Sequence, residues 1–312
     1  MKPKIYIDGK DGTTGLQIYD RLAGREDLEL LLIDEDKRKD TAERQKLMNA
    51  ADIVFLCLPD AAAIEAVELV TNPETCIIDA STAHRTAPGW DYGFPELSAE
   101  HRARIANSKR IANPGCHASG FISAVYPLVA HGIVPPDYPM TCFSLTGYSG
   151  GGKKMIAQYE TDKTEELYAP RIYGLSLNHK HLPEMQKICG LHKAPVFLPV
   201  VDDYYKGMAT TIQLRNDLLA PGTTAQRVWE TLRDHYADAQ MVTVAPFGGT
   251  TPMIAGNAMA GKDTLQLIVY GNEEQTAVTA LFDNLGKGAS GAAVQNMNIR
   301  LGLEESTGLI KE

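Results

Sequence analysis

The sequence predicts an α/β protein in two parts: a parallel sheet wrapped by helices, then an α+β domain with a mixed or antiparallel sheet. Three observations predict it. Strand-length apolar runs alternate with helical patterns through the first third of the chain. A Gly-x-x-Gly-x-x-Gly turn separates the first strand from the first helix. Beyond residue 140 the pattern changes to several strands with few helices between them.

Lys4 to Asp8 is a short strand that runs into Gly9-Lys10-Asp11-Gly12-Thr13-Thr14-Gly15. The helix after it places Ile18 and Leu22 on one face. Glycines there let the backbone approach a pyrophosphate, and the helix N-terminus faces the anion. The spacing is not the usual Gly-x-Gly-x-x-Gly, and a plain turn would fit it too. Leu28 to Ile33 reads as a buried second strand, followed by Asp34, Glu35, Asp36, Lys37, Arg38 and Lys39. An acid at this point suits a ribose 2′-hydroxyl, and Lys37 or Arg38 suits a 2′-phosphate, so both NAD and NADP are open. Asp52 to Leu58 and Thr75 to Ala80 are buried strands with Cys57 and Cys76 in the core. The Ala61 to Val70 helix between them presents Ile64, Val67 and Leu69 or Val70 on one face. Arg85, in the loop after the second of these strands, is a candidate for a phosphate or carboxylate, with a surface ion pair as the alternative.

Arg110-Ile111-Ala112 runs into Asn113-Pro114-Gly115-Cys116, and a helix follows from Gly120 to Val129. Cys116 therefore falls where a strand ends and a helix begins. The N–H groups and positive end of that helix favour a thiolate and would stabilise an oxyanion formed by its attack on a carbonyl. Pro127, Pro135, Pro136 and Pro139 mark a connection and a first domain boundary. Strands follow at Thr141 to Thr146, Val196 to Val201, Met208 to Leu214, Met241 to Ala245 and Thr264 to Tyr270, with helices at Ala225 to Tyr236 and Glu274 to Leu285. Gly147 to Lys154 is a second glycine-rich turn without Walker A spacing; its serine and lysines suit an anionic substrate, or it is a plain loop. His179 and His181 precede a Pro-Glu helix start and suit acid/base work for Cys116. As a metal pair they lack a third ligand nearby, so no metal is expected. His84, His101, His117, His131, His192 and His235 read as surface or core residues. A helix near the end carries Val294, Met297 and Leu301 on one face and is expected to pack back on the first domain.

The bulk numbers exclude other classes. A chain of 312 residues with 44% hydrophobic and 22% charged residues is long enough for two domains. A net charge of −9 opposes nucleic-acid binding, and no apolar stretch is long enough to span a membrane. The five cysteines are scattered with no Cys-x-x-Cys pair, and the chain opens without a signal-peptide pattern. A reducing, cytoplasmic setting is expected.

Seven segments together resemble the shorter type of the N-acetyl-gamma-glutamyl-phosphate reductases of arginine biosynthesis: KIYIDGKDGTTGLQI, DASTAHR, YGFPEL, NPGCHAS, GYSGGGKK, NHKHLPE and GASGAAVQNMNIRLG. The resemblance covers nearly the whole chain. It implies a Rossmann-type NADP-binding domain over residues 1–117, a substrate-binding and dimerisation domain over 118–285, and a C-terminal segment, 286–312, that returns to the first. It implies reduction of N-acetyl-L-glutamyl 5-phosphate to the 5-semialdehyde by NADPH through a thioester on Cys116. His179 would be the acid/base, with His181 the second choice. Arg85, Ser149 and Lys153 would orient the substrate or its phosphate. Gly9, Gly12, Thr13, Thr14 and Gly15 would hold the cofactor pyrophosphate, Asn296 would meet the nicotinamide carboxamide, and Arg38 the 2′-phosphate. A homodimer or homotetramer is implied, with no nucleic acid or membrane partner. The longer type has an aromatic residue after the cysteine, where this chain has His117, and Gly-Ala-Gly-Arg where this chain has Gly-Gly-Gly-Lys. Rival readings are a reductase of a related acyl phosphate such as aspartyl phosphate, a non-catalytic dinucleotide-binding sensor, and a cysteine hydrolase.

Overall fold

The computed structural model describes residues 2–249 and 252–311. It has two units, Met1–Pro114 with Ala289–Leu309, and Gly115–Gly288 with Ile310–Glu312.

The first unit opens with β1 (Lys4–Asp8), α1 (Thr13–Leu22), β2 (Glu29–Leu31), α2 (Thr41–Ala50), β3 (Ile53–Leu56) and α3 (Asp60–Leu69). It continues with β4 (Cys76–Asp79), β5 (Asp91–Tyr92), α4 (Ala99–Asn107) and β6 (Arg110–Ala112). Its sheet has the order β2-β1-β3-β4-β6-β5, and every pairing is parallel. The order reverses between β1 and β3, and in such sheets the crevice beyond the strand ends at that reversal takes ligands. The glycine turn leaves β1 at this place. Ile18 and Leu22 of α1 are buried. Two details differ from the sequence pattern. β2 is a half-buried edge strand, because only β1 pairs with it. On α3 Val67 and Leu69 pack on the core with Val70 as expected, but Ala63 and Ala66 are the buried residues beside them and Ile64 is 52% exposed. Small residues let this helix lie close to the sheet, and hydrophobicity alone does not reveal which side does so.

The second unit contains α5 (Cys116–Ala130), β7 (Thr141–Gly147), α6 (Gly152–Glu160), β8 (Arg171–Ile172), α7 (Leu182–Cys189) and β9 (Val196–Asp202). Next come β10 (Met208–Arg215), α8 (Ala225–His235), β11 (Val242–Val244), β12 (Leu265–Gly271) and β13 (Gln275–Phe282). Its mixed sheet has the order β11-β12-β13-β10-β7-β9-β8. Residues expected as a helix over 274–285 are β13, which pairs antiparallel with β12 and β10. Thr276, Val278 and Thr279 favour an extended chain, and two neighbouring strands supply ladder partners that an isolated helix would lack. The proline-rich stretch is no boundary. Pro127 lies inside α5. A proline there cannot donate to the Ser123 carbonyl, and the Tyr236 hydroxyl donates to it instead at 2.7 Å. The chain changes unit between Pro114 and Gly115, directly before Cys116.

The last helix, α9 (Gly291–Arg300), belongs to the first unit, where Ala293, Val294, Met297 and Ile299 join the core with Ile5, Ile18 and Ile78. In the second unit α5 lies close on β10 and β13. A Cβ on Gly120 would fall 2.5 Å from Thr210 Oγ1 and 2.8 Å from a Phe282 ring carbon. Gly120→Ala should therefore lower stability by about 1–3 kcal/mol through overpacking, read as a lower thermal midpoint.

Candidate active site

Cys116 is the first residue of α5, whose N-cap, Gly115, has no side chain to satisfy the first turn. Glu184, in the first turn of α7, supplies the acceptor: the Gly115 N–H donates to its Oε2 at 3.1 Å. The two helices thus meet at their N-terminal ends. His181 is the N-cap of α7, and its N–H donates to His179 Nδ1 at 3.2 Å.

The histidine pair meets the residue next to the cysteine. The His117 ring is 5.6 Å from that of His179, 5.8 Å from His181 and 5.1 Å from Phe197, and His179 is 4.6 Å from His181. His117 is 2% exposed, and its two ring nitrogens face Ser144 Oγ at 2.8 Å and the Tyr173 hydroxyl at 2.6 Å. In the sequence His117 reads as a surface or core residue; its adjacency to Cys116 is the signal for a role at the site. Burial, and then the charge of His179, push its pKa down to about 3. Tyr173 is pushed up by burial first and by the Cys116 charge second. At the other cysteines burial disfavours the thiolate: it raises Cys57, Cys142 and Cys189 and pushes Cys76 up to about 11. In the same unit, Ser149 is buried with its hydroxyl accepting from Asn284 Nδ2 at 2.9 Å, and Lys153 is exposed in the first turn of α6.

The first unit carries the dinucleotide features. Gly9 has φ +82°, and a Cβ there would lie 2.4 Å from the Cys57 carbonyl oxygen. A Cβ on Gly15 would lie 2.4 Å from the Gly9 carbonyl oxygen, so α1 starts against the loop only because residue 15 is glycine. Gly12 caps α1, and Thr13 and Thr14 open it with no acidic residue in the first turn. Asn296 Nδ2 donates to the Gly93 carbonyl at 2.9 Å, while its Oδ1 is buried with no hydrogen-bond partner among the described residues. A bare backbone cradle and an orphaned buried acceptor fit a dinucleotide with a carboxamide end. Arg38 pairs with Asp11 of the glycine loop at 2.5 Å. Arg85 donates from Nε to the Asn113 carbonyl at 2.9 Å and from Nη2 to the Ala80 carbonyl at 3.1 Å, so much of its fork braces the ends of β4 and β6. His84 stacks on Trp90 and lies 2.6 Å from Asp79.

The comparisons agree with this division. Residues 4–105 match the semialdehyde dehydrogenase NAD binding domain, and residues 116–284 match the semialdehyde dehydrogenase dimerisation domain. Among solved structures, aspartate semialdehyde dehydrogenase II of Vibrio cholerae complexed with ASA superposes with a TM-score of 0.74 at 16% identity, covering 97% of this chain and 99% of that one. The fold and its matched domains make this chain a semialdehyde dehydrogenase family protein. Two relatives are closer in sequence. N-acetyl-gamma-glutamyl-phosphate reductase 2 of Nostoc sp. is 46% identical, covering 99% of both chains. The N-acetyl-gamma-glutamyl-phosphate reductase of Sinorhizobium medicae is 49% identical, covering 96% of this chain and 99% of that one. The chain belongs to the N-acetyl-gamma-glutamyl-phosphate reductase family.

His117 gives the second unit a pH signature. Between its ordinary pKa of 6.5 and about 3, the unfolded chain binds a proton that the folded one does not. Stability contributed by the neutral ring is therefore present above pH 6.5 and is lost as pH falls towards 3. Denaturant titrations from pH 7 to 4 should show a loss that becomes shallower in His117→Phe.

Proposed function

We propose that this chain reduces N-acetyl-L-glutamyl 5-phosphate to N-acetyl-L-glutamate 5-semialdehyde with NADPH, as a cytoplasmic enzyme of arginine biosynthesis. The observation that carries this reading is Cys116 as the first residue of a helix, followed by His117 whose ring meets the histidine pair, in a chain that matches reductases of that name over nearly its full length. The Cys116 sulfur attacks the acyl carbon. A C–S bond forms, the C–O bond to phosphate breaks, and phosphate leaves with its electron pair. The first-turn N–H groups of α5 favour the thiolate that attacks and the oxyanion that forms. NADPH, when bound, supplies the hydride that reduces the thioester. His179 serves as the acid/base, with its ring held by the His181 N–H that donates to Nδ1. His181 shapes that segment as the N-cap of α7.

Gly9, Gly12, Thr13, Thr14 and Gly15 would hold the pyrophosphate, and Asn296 Oδ1 would accept from the carboxamide. Arg38 would take the 2′-phosphate in exchange for Asp11. Arg85 would orient the substrate or its phosphate, and Ser149 and Lys153 hold the departing phosphate. The assembly is a homodimer or homotetramer. Ser144 of β7 faces α5, so Phe143 lies on the opposite face of the sheet with Leu198, its partner in register on β9. Both are exposed, as is Tyr270. An uncovered apolar sheet face of this kind suits a second copy of the chain.

Two measurements test this reading. Phosphate-dependent oxidation of N-acetyl-L-glutamate 5-semialdehyde, followed at the NADPH absorbance, should fall by several orders of magnitude in Cys116→Ala. Surviving activity in that variant, or preference for aspartate semialdehyde, would overturn it. Light scattering should give a smaller particle for Phe143→Glu combined with Leu198→Glu than for wild type.

A further inference from the structure

Next to the nucleophile begins a chain of hydrogen bonds that the steps above leave unused. His117 Nε2 is 2.6 Å from the Tyr173 hydroxyl, and Nδ1 is 2.8 Å from Ser144 Oγ. Ser144 Oγ is in turn 2.8 Å from Thr210 Oγ1. Sheet register makes that last contact, since Ser144 of β7 and Thr210 of β10 are direct partners. His117, Ser144 and Thr210 are all buried.

Counting protons gives this chain a direction. Each hydroxyl has one, and the His117 ring, held neutral by burial, has one. Among the described residues, Ser144 is the one hydrogen-bond partner of the Thr210 hydroxyl. A buried hydroxyl left without an acceptor is costly, so Thr210 donates to Ser144. Ser144 must then donate to His117 Nδ1. The ring proton sits on Nε2 and goes to the Tyr173 oxygen. The Tyr173 proton is left over, and no acceptor for it is present among the described residues. Tyr173 is hydrogen-bonded to the ring of His117, the residue that follows Cys116, and burial first and the sulfur's charge second oppose its ionisation. Its phenol is raised further from ionising, so it is a donor that keeps its proton.

We propose that Tyr173 donates a catalytic hydrogen bond to the acyl oxygen of a substrate attacked by Cys116, and that His117 is the positioning residue that aims it. The proposal rests on the acyl-transfer reading of Cys116. As the C–S bond forms, the carbonyl π pair moves onto oxygen, and the Tyr173 O–H meets that charge without transferring its proton. The Ser144 and Thr210 hydroxyls act at a distance by fixing the ring tautomer.

Two reagents separate this role from any effect on the thiol. p-Nitrophenyl acetate acylates a cysteine through a tetrahedral oxyanion and releases p-nitrophenolate. Iodoacetamide alkylates it by displacing iodide, with no oxyanion. In Tyr173→Phe the Cys116-dependent burst of p-nitrophenolate should slow by about tenfold or more, with iodoacetamide alkylation unchanged within about twofold. His117→Phe should slow the burst in the same selective way, and the double variant should be no slower than Tyr173→Phe, because the two act as one unit. Should His117→Phe fail to fold, Ser144→Ala removes the donor to Nδ1 and is expected to give the same selective loss. Equal losses with both reagents, no loss of acylation, or losses that multiply in the double variant would overturn the proposal. A wild-type protein that shows this selectivity but does not oxidise N-acetyl-L-glutamate 5-semialdehyde would overturn the substrate assignment and leave this inference standing.

Discussion

The Gly115 N–H donates to the Glu184 carboxylate, and the geometry of the catalytic unit depends on that bond. A helix that starts on glycine has no side chain of its own to occupy its first turn. Glu184 is 1% exposed, and a buried carboxylate stays where donors meet it. The bond therefore fixes the start of α7 against the start of α5. His181 is the N-cap of α7 and His179 is tied to it, so the histidine pair is delivered to the helix that carries Cys116. Sixty-odd residues separate the two segments in sequence, and one capping interaction closes that distance in space.

The first unit depends on the absence of side chains at one place and on the polarity of a buried helix at another. Gly9 and Gly15 let the loop after β1 lie on β3 and on itself, which a Cβ at either would prevent. α9 is buried over almost its whole length yet carries Gln295, Asn296 and Asn298. Each has a task. Gln295 donates to Glu96 and Glu305, and Asn298 donates to the Glu305 and Thr307 carbonyls. Asn296 holds Gly93 and keeps an acceptor in reserve. These amides hold the tail in the first unit, so the last helix contributes to the domain formed by the opening third of the chain.

Features carried by local pattern were legible in the sequence. The glycine turn, the parallel strands, the placement of Cys116 at a helix start and the Pro-Glu start of α7 all follow from residues a few positions apart. Features set by distant partners were not. β13 reads as a helix until β12 and β10 are known to flank it. Pro127 reads as a break until Tyr236 is known to satisfy the carbonyl it abandons. On α3 the pattern finds Val67, Leu69 and Val70, but Ala63 and Ala66, and not Ile64, complete the buried face. His117 is the instructive case at the site. Its partners Ser144 and Tyr173 come from β7 and from the loop before α7, and Thr210 joins through strand register. No spacing in the sequence announces that set.

The proposed chemistry turns on a covalent acyl group carried by Cys116. The most direct measurement is mass spectrometry of the protein quenched in acid after incubation with N-acetyl-L-glutamyl 5-phosphate and no dinucleotide. One acyl group should appear on the Cys116 peptide with release of an equal amount of phosphate, and none on the Cys116→Ala protein. Phosphate released with no adduct, or an adduct on a different residue that persists in Cys116→Ala, would contradict it.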